Sequence, residues 1–373
     1  MVGAVLVKRG TVIGRGWHRR AGGPHAEIEA LRDSQKRGHD PLGATLYVTL
    51  EPCCTTGRTP PCTEAVIAAG LKRVVVGTVD PNPKHAGRAF RILERAGIEV
   101  ATLGIPRLPA RHPDRLKAEL EALAGECARL NESFSHWIVH RTPFVTVKAA
   151  MTLDGKIATA SGESKWITGE KARAWGMRLR QGSDAILVGI NTILADDPGL
   201  TFRPQGTGFR RQQQPLRRVI LDALARTPLD AKVVADEQAA LTTIVVSRRA
   251  PGRRVTALAK RVRVWVAPVV RVSSRTRHQS PRLDLDWLLR KLGAEDVTSL
   301  LVEGGGEVNA SFLIGGLAQR VAFFYAPKIL GGRNALKGVA GDGAKSLAEV
   351  VKLREVSWKR LGMDWLLAAR VET

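Results

Sequence analysis

Residues 45–70, TLYVTLEPCCTTGRTPPCTEAVIAAG, contain a short β-rich run, a cysteine-bearing turn and a helical pattern in direct succession. The turn places Cys53 just after the predicted strand and Cys62 at the start of the predicted helix. Upstream, PHAEIEALRDS at residues 24–34 predicts another helix, which begins at His25. Strands that alternate with helices in this way favour a layered α/β sheet.

One histidine and two cysteines of these stretches supply a set of zinc ligands, which are His25, Cys53 and Cys62. Thiolates and imidazole nitrogens are ligands that zinc prefers, and three of them leave one tetrahedral position for water. Glu27 follows the histidine by two residues, so its carboxyl group is placed to transfer protons beside the metal. We therefore expect Glu27 to be the catalytic acid and base. H-x-E followed by P-C and a second cysteine is typical of zinc-dependent base deaminases. A zinc ion that only stabilises the fold is the alternative, and the neighbouring glutamate argues against it.

The composition indicates a globular protein without a membrane partner. The chain has 373 residues, enough for two domains, and 44% of them are hydrophobic. No apolar run approaches the ~20 residues that span a bilayer. The first residues also lack the layout of a signal peptide, so we expect a cytoplasmic protein. Four cysteines are too few for a disulfide framework in a chain of this length.

The net charge of +23 leaves two interpretations open. It suits a nucleic-acid partner, or an arginine-rich surface around sites for anionic small molecules. The basic residues are scattered, and aromatic residues make up only 5% of the chain, so a stacking platform for single strands is not evident. We therefore expect no nucleic-acid partner, and a basic deaminase that acts on nucleic acid stays as an alternative.

The order of predicted elements divides the chain into two α/β domains. In residues 1–104, predicted strands alternate with helices. Residues 105–142 begin with a proline-containing break and are predicted to form a helical linker. Residues 143–373 show a second α/β pattern. In the last part, SLLVEGGGEVNASFL at residues 299–313 predicts a buried strand, a glycine turn and a helix. Glycines at such a junction let backbone N–H groups approach phosphates at the helix N-terminus, so a dinucleotide is a candidate ligand.

Motifs of the first domain resemble those of a known family. PHAE, TLEPC, GRTPPC and DPNP are similar to the deaminase half of the bifunctional riboflavin-biosynthesis deaminase-reductases. The resemblance implies a cytidine-deaminase-like α/β domain that uses Zn²⁺ to hydrolyse the 2-amino group of a diaminopyrimidinone carrying phosphoribosylamine. It also implies four substrate contacts, from His18, Arg58, Asp80 and Asn82. Arg58 suits the phosphate, because a guanidinium pairs well with phosphate oxygens.

Longer stretches of the second domain resemble the reductase half of the same family. They are TVKAAMTLDG, IATASGESKWIT and RLRQGSDAILVGINTILADDPGLTFR, at residues 146–155, 157–168 and 178–203. The resemblance implies an α/β domain similar to dihydrofolate reductase, which uses NADPH to reduce the ribosyl unit to ribityl. It implies cofactor contacts from Ala150, Trp166, Thr192, Asp196, Gly305 and Gly306. It implies substrate contacts from Ser164, Arg180, Leu200, Arg203 and Glu303.

Two features depart from the family pattern. Relatives have a helix before the first strand that ends in an Asn-Pro-x-Val-Gly turn, whereas this sequence starts with MVGAVLV and keeps only Val2 and Gly3. Relatives often have a histidine two residues after the first ligand cysteine, where this chain has Thr55. We expect a bifunctional enzyme, and the departures motivate one alternative, a reductase with an impaired deaminase domain.

Because relatives are often dimers or tetramers, homo-oligomerisation is a further expectation.

Overall fold

The computed structural model describes residues 2–20, 22–103, 113–202, 215–270 and 282–372. These residues form two compact units, the first ending at His140 and the second beginning at Arg141. None of the helices in these ranges combines the length and the hydropathy that crossing a bilayer requires. Each unit has its own sheet and its own hydrophobic core.

The first unit is built on a five-stranded mixed sheet. Its strands are β1 Gly3–Lys8, β2 Thr11–Trp17, β3 Thr45–Val48, β4 Arg73–Val76 and β5 Glu99–Thr102. Its helices are α1 Ala26–Lys36, α2 Cys62–Ala68, α3 Arg88–Arg95 and α4 Pro113–His140. The strand order is β2-β1-β3-β4-β5, in which β1 is antiparallel to both of its neighbours and β3, β4 and β5 are parallel. The strand–helix alternation predicted from the sequence is confirmed.

Helix α1 lies very close to β2, and a glycine makes this approach possible. A Cβ atom at Gly16 would overlap the carbonyl oxygen of Ala26, so a larger residue would push the helix away from the sheet. Ala26 and Ala30 are fully buried on the face of α1 that packs on the sheet. The close approach holds the first turn of α1, with His25 and Glu27, against the sheet.

The second unit is built on a nine-stranded sheet with helices around it. Its strands are β6 Phe144–Thr152, β7 Lys156–Ala158, β8 Ala185–Gly189, β9 Arg217–Leu221, β10 Thr242–Ser247, β11 Arg263–Ala267, β12 Ser299–Val302, β13 Arg320–Ala326, β14 Leu336–Lys337, β15 Leu353–Leu361 and β16 Asp364–Val371. Its helices are α5 Glu170–Gln181, α6 Ile190–Asp196, α7 Lys232–Ala235, α8 Gly252–Ala259, α9 Leu285–Ala294 and α10 Gly306–Leu313. The order is β11-β10-β9-β8-β12-β6-β13-β16-β15, while β7 and β14 pair separately.

Seven neighbouring strands of the large sheet, from β11 to β13, run parallel, and both faces of their central part are covered. Along β8, Ile186 and Val188 pack into one core while Leu187 packs into the other. Alternate residues of a strand point to opposite faces, so a strand buried on both sides reads as a continuous apolar run. The carboxyl ends of β6, β8 and β12, which are adjacent, therefore meet at one edge of the sheet.

Candidate functional site

The three predicted zinc ligands converge in the first unit. His25 caps the N-terminus of α1, Cys62 is the first residue of α2, and Cys53 lies in the loop after β3. Nδ1 of His25 is 3.2 Å from Sγ of Cys62 and 3.4 Å from Sγ of Cys53. All three ligand atoms lie within 4.8 Å of one another, and among the described residues only this group of three or more metal-ligating side chains does so.

The two thiols differ in acidity because they share a hydrogen bond. Sγ of Cys62 stabilises the Cys53 thiolate, and together with His25 it lowers the pKa of Cys53 to about 4. The same contact raises the pKa of Cys62, so one negative charge belongs to the pair. The backbone N–H of Cys62, at the start of α2, also donates to Sγ of Cys53 over 3.3 Å. Zinc binds deprotonated thiols, so this pair is prepared to receive a metal ion with release of a proton.

Glu27 lies in the first turn of α1, and its side chain is buried. One carboxylate oxygen, Oε2, has no hydrogen-bond partner among the described residues. Burial raises the pKa of Glu27 to about 7, near the pH at which a general acid or base exchanges protons readily. Buried polar atoms nearly always have partners, so an unpartnered oxygen beside two thiols fits a site that a metal ion and water complete. The donor set also fits Zn²⁺ by its chemistry.

Thr59 supports the histidine ligand, and the sequence interpretation did not identify it. Its hydroxyl oxygen is 3.2 Å from Nε2 of His25, the ring nitrogen that faces away from the thiols. Metal-ligating histidines usually bond through the other ring nitrogen to such a partner, which fixes the orientation of the ring. The signal was present, because Thr59 lies within GRTPPC, between the two cysteines.

Glu51 is a second supporting residue, to which the sequence interpretation gave no role in the site. Its buried carboxylate accepts backbone N–H groups from Asp80 at 3.1 Å, Gly87 at 2.9 Å and Ala89 at 3.1 Å. Asp80 and Gly87 belong to the segment that joins β4 to α3, and Ala89 lies in the first turn of α3. Glu51 therefore ties this segment to the chain just before Cys53. No local pattern predicts such a pairing, because the partners lie about 30 residues away in sequence.

The predicted substrate contacts of the first unit surround the zinc ligands. The ring of His18 packs edge-on against that of His25 with centroids 5.1 Å apart, and its Nδ1 donates to the carbonyl of Pro24 over 3.1 Å. Asp80 is buried, and burial raises its pKa, while its Oδ1 accepts the N–H of Asn82 over 2.8 Å. Arg58 is exposed in the loop between the two cysteines.

His85 is a further buried residue beside the zinc ligands, and the sequence interpretation did not single it out. Its Nδ1 accepts the backbone N–H of Cys54 over 3.4 Å, and Nδ1 is also 3.4 Å from the sulfur of Cys54. Nε2 of His85 lies 3.4 Å from the hydroxyl oxygen of Thr55. A histidine from the loop after β4 thus contacts the position where the family often has a histidine of its own.

The predicted reductase residues meet at the carboxyl edge of the parallel strands. Glu303 follows β12 directly, Thr192 and Asp196 lie on α6 just after β8, and Ala150 is near the end of β6. Open α/β sheets bind ligands at this edge. The fold therefore brings together residues that are more than 150 positions apart in sequence.

An ion cluster of three largely buried side chains lies at this edge. The guanidinium of Arg180 pairs with Glu303 through two hydrogen bonds, Nε to Oε1 at 2.8 Å and Nη2 to Oε2 at 2.9 Å. Nζ of Lys148 is 3.4 Å from the same Oε2. Burial raises the pKa of Glu303, but the charges of Lys148 and Arg180 outweigh it and hold the pKa at about 2. Two of the predicted substrate contacts are thus partners of one another.

Three of the other predicted contacts of the second unit, Ser164, Trp166 and Leu200, lie in loops between its helices and strands. The hydroxyl of Ser164 is 3.5 Å from Oδ1 of Asp196, which pairs a predicted substrate contact with a predicted cofactor contact. Trp166 is 65% exposed and packs under the guanidinium of Arg173, with 4.7 Å to the ring centroid. Leu200 is buried. Arg203 lies outside the described residues.

The glycine turn predicted to receive phosphates is the N-terminus of α10. Gly305 caps the helix and Gly306 is its first residue. A Cβ atom at Gly306 would overlap the carbonyl oxygen of Lys337, whereas around the Cβ position of Gly305 there is open space. Glycine is thus required at Gly306 by packing, and Gly305 leaves room for a group at the helix N-terminus. Backbone N–H groups there suit the phosphates of a dinucleotide.

Two family models match the chain, one for each unit. The model of the "RibD C-terminal domain" matches residues 143–367. The model of the "Cytidine and deoxycytidylate deaminase zinc-binding region" matches residues 1–78, which contain all three zinc ligands. The first match alone covers more than half of the chain.

Similar proteins cover nearly the whole chain. The riboflavin biosynthesis protein RibD of Actinobacillus pleuropneumoniae is 40% identical over 367 residues, which are 98% of this chain and 88% of that protein. RibD of Aquifex aeolicus is 40% identical over 368 residues, 98% of this chain and 90% of that protein. The solved structure of RibD from Acinetobacter baumannii superposes with a TM-score of 0.79 at 33% identity, covering 100% of this chain and 92% of the other.

These matches agree with the geometry in both units. The deaminase model falls on the unit that assembles His25, Cys53 and Cys62, and the reductase model falls on the unit with the ion cluster and the glycine turn. The two-domain α/β architecture expected from the sequence is confirmed. The chain therefore belongs to the RibD family of riboflavin biosynthesis, bifunctional enzymes that join a zinc-binding deaminase domain to an NADPH-dependent reductase domain similar to dihydrofolate reductase.

Proposed function

We propose that this chain converts a pyrimidine ribosyl phosphate in two steps. It first hydrolyses the 2-amino group of 2,5-diamino-6-(5-phosphoribosylamino)pyrimidin-4-one and releases ammonia. It then reduces the ribosyl side chain of the product to ribityl with NADPH. The observation that carries this proposal is a set of three zinc ligands beside a buried glutamate, one oxygen of which has no partner among the described residues, in a chain that matches the reductase family over its second half.

The deaminase step assigns the metal to three side chains and the proton transfers to one. His25, Cys53 and Cys62 would hold a zinc ion, which would supply a Lewis acid that activates water. Oε2 of Glu27 accepts a proton from the attacking water and delivers it to a ring nitrogen of the pyrimidine. The same oxygen then takes the remaining proton from the new hydroxyl and gives it to the leaving amine, so that ammonia departs and the carbon keeps the oxygen as a carbonyl. The raised pKa of Glu27 supports both roles, because the group is ready to take up and to release a proton near neutral pH.

Four further residues bind the deaminase substrate in this proposal. His18 and Asp80 lie close to the zinc ligands, and hydrogen bonds to the backbone hold both in place. Asn82 belongs to the same turn as Asp80. Arg58, exposed on the loop between the cysteines, contacts the phosphate, where a guanidinium forms paired hydrogen bonds.

The reductase step assigns cofactor binding to the carboxyl edge of the large sheet. Ala150, Trp166, Thr192, Asp196, Gly305 and Gly306 bind NADPH, which supplies the hydride. Gly305 and Gly306 place backbone N–H groups at the N-terminus of α10 for its phosphates. Ser164, Arg180, Leu200, Arg203 and Glu303 bind the pyrimidine ribosyl phosphate. The carboxylate of Glu303, with its pKa held at about 2, stays charged at neutral pH and accepts hydrogen bonds from the substrate.

The proposal also covers the cellular location, the binding partner and the self-association of the enzyme. The enzyme works in the cytoplasm, where reduced thiols such as Cys53 and Cys62 remain available to zinc. Its partner is the small pyrimidine substrate, with no nucleic acid required. The chain associates with copies of itself, as the resemblance implies.

The test follows ammonia and NADPH in one reaction with purified, zinc-loaded protein and the diaminopyrimidinone ribosyl phosphate. We expect ammonia to be released first, NADPH to be consumed afterwards, and a zinc chelator to stop both. Adding deaminated substrate to the chelated protein should restore NADPH consumption, because the reductase domain needs no zinc. Zinc-loaded protein that releases no ammonia but oxidises NADPH on deaminated substrate would replace this proposal with the reductase-only alternative.

A further inference from the structure

A fully buried arginine lies in the second unit, outside the residues assigned to either ligand. Arg218 on β9 has no exposed surface, and its guanidinium makes five hydrogen bonds. Nε donates to the hydroxyl of Thr242 at 2.8 Å, and both terminal nitrogens donate to the carboxylate of Asp236, at 2.6 and 2.8 Å. The other two bonds go to backbone carbonyls, those of Gly199 at 2.9 Å and Val233 at 3.3 Å.

The bond to Gly199 reaches a turn that the proposed function assigns to the substrate. Arg218 holds the carbonyl of Gly199, and Arg180 donates through Nη1 to the carbonyl of Thr201 over 3.2 Å. Leu200 lies between these two carbonyls and is 3% exposed. A fully buried guanidinium on β9 and a partly buried one on α5 therefore fix the backbone on both sides of a single residue.

The backbone at Leu200 needs such support. Its φ angle is 49°, in the left-handed region that residues other than glycine rarely adopt. A side chain in this region persists only where the surroundings determine the backbone conformation, and such positions cluster at ligand sites. Asp197, three residues earlier in the same loop, also has a positive φ, of 39°. The hydrogen bonds from Arg218 to Gly199 and from Arg180 to Thr201 hold the backbone of Leu200 in this conformation.

We propose that Arg218 is a positioning residue of the reductase site, holding the turn from Gly199 to Thr201 in the conformation that the pyrimidine substrate binds. The inference rests on the proposed function, because the substrate role of Leu200 comes from there. Arg218 acts through Gly199, and the charge of its buried guanidinium is balanced by Asp236. Arg180 has a different role, because it also pairs with Glu303 at the carboxyl edge of the sheet, where the substrate is proposed to bind.

The test must separate positioning from stability. Arg218→Met alone leaves Asp236 without its partner, and removal of one member of a buried ion pair can unfold a protein. The double variant Arg218→Met with Asp236→Leu replaces the pair by apolar side chains, which proteins often tolerate, while Gly199 still loses its donor. Thr242→Val is the matched control, because it removes another hydrogen bond of the same guanidinium and leaves the bond to Gly199 in place.

In the folded double variant we expect the KM for the deaminated pyrimidine substrate to rise about tenfold or more, because binding must now order the turn. The Kd for NADPH and the rate of ammonia release should stay within about twofold, since neither depends on Gly199. Amide hydrogen exchange at Leu200 and Thr201 should be faster than in the wild type. Thr242→Val should leave the KM and the exchange unchanged.

A double variant with the wild-type KM and wild-type exchange would overturn the role of Arg218. An equal rise of KM in Thr242→Val would overturn it too, because it would show a general effect of loosening the core. If the wild-type chain fails to oxidise NADPH at all, the proposed function fails instead. The exchange rates at Leu200 and Thr201 then decide alone whether Arg218 fixes the turn.

Discussion

The deaminase and reductase regions each contain a buried glutamate, and the two glutamates behave in opposite ways. Glu27 has an oxygen without a partner among the described residues, and burial raises its pKa to about 7. Burial also acts to raise the pKa of Glu303, but Lys148 and Arg180 outweigh it and hold the pKa at about 2. Burial alone therefore does not determine the protonation of a carboxyl group; its charged neighbours do. We expect Glu27 to move protons, whereas Glu303 stays charged and holds its neighbours.

Replacement of Glu27 should give the largest effect, because it removes the one group that we assign to proton transfer. In Glu27→Gln we expect ammonia release to fall about 10³-fold, within the range that general acid–base catalysis contributes. NADPH oxidation on deaminated substrate should stay within about twofold, since the residues assigned to the reductase step all belong to the other unit. Both rates would be measured on one preparation, together with its zinc content. Equal losses of both activities would contradict the assignment and indicate damage to the whole chain.

The second largest effect should come from Glu303, which should make the free energy of unfolding fall at acid pH. Its folded pKa of about 2 is below its ordinary value of 4.5, so its stabilising contribution is complete above pH 4.5 and disappears as the pH falls towards 2. The shift corresponds to about 3 kcal/mol of unfolding free energy. The stability difference between wild type and Glu303→Gln should therefore shrink across this window, as followed by urea unfolding of the second unit.

Exposed Glu163 offers a matched control for this measurement, because it lies in the same unit outside the ion cluster. Glu163→Gln should leave the pH dependence of unfolding as it is in the wild type. A Glu303→Gln difference that stays constant from pH 7 to about 2 would show that the ion pairs do not set the charge of Glu303. The contrast between the two glutamates would then lose its electrostatic explanation.

The sequence allowed the residues of the two sites to be predicted to different extents. The candidate zinc ligands could be predicted because metal binding needs particular residue types, and three of them with a glutamate fall in the stretch from His25 to Cys62. The architecture followed from alternating strand and helix patterns. Predicted contacts such as Ala150 for the cofactor and Leu200 for the substrate could be named only through the family resemblance, because their residue types carry no chemistry of their own.

Long-range pairings were beyond the sequence interpretation. Glu51 holds the N–H groups of Asp80, Gly87 and Ala89, and Arg218 holds Gly199, yet none of these pairs is marked by a local pattern. They arise where neighbouring strands and the loops after them meet, which only the folded chain defines. A buried polar side chain is recognisable from its environment and not from its letter in the sequence.

Thr59 should have a smaller effect that is confined to the metal. Thr59→Val keeps the shape of the side chain but removes the hydroxyl that contacts Nε2 of His25. Partners of this kind typically contribute 10- to 100-fold to metal affinity, so we expect zinc to bind about tenfold more weakly. Competition with a chromophoric chelator measures the affinity, and saturating zinc should restore most of the ammonia release. Unchanged affinity would mean that the packing of α1, rather than Thr59, orients the ring.

His85 should give the smallest effect, and its loss tests whether the loop after β4 supports the zinc ligands. Its Nδ1 accepts the N–H of Cys54, the residue next to the ligand Cys53. One neutral hydrogen bond contributes about 1 kcal/mol, so His85→Leu should lower the rate of ammonia release by about fivefold. Thr55→Val, which removes only the contact with Nε2, should change the rate less. A larger loss in Thr55→Val than in His85→Leu would mean that the hydroxyl of Thr55 acts in the site itself. The histidine would then serve to orient that hydroxyl, and its bond to the backbone of Cys54 would be secondary.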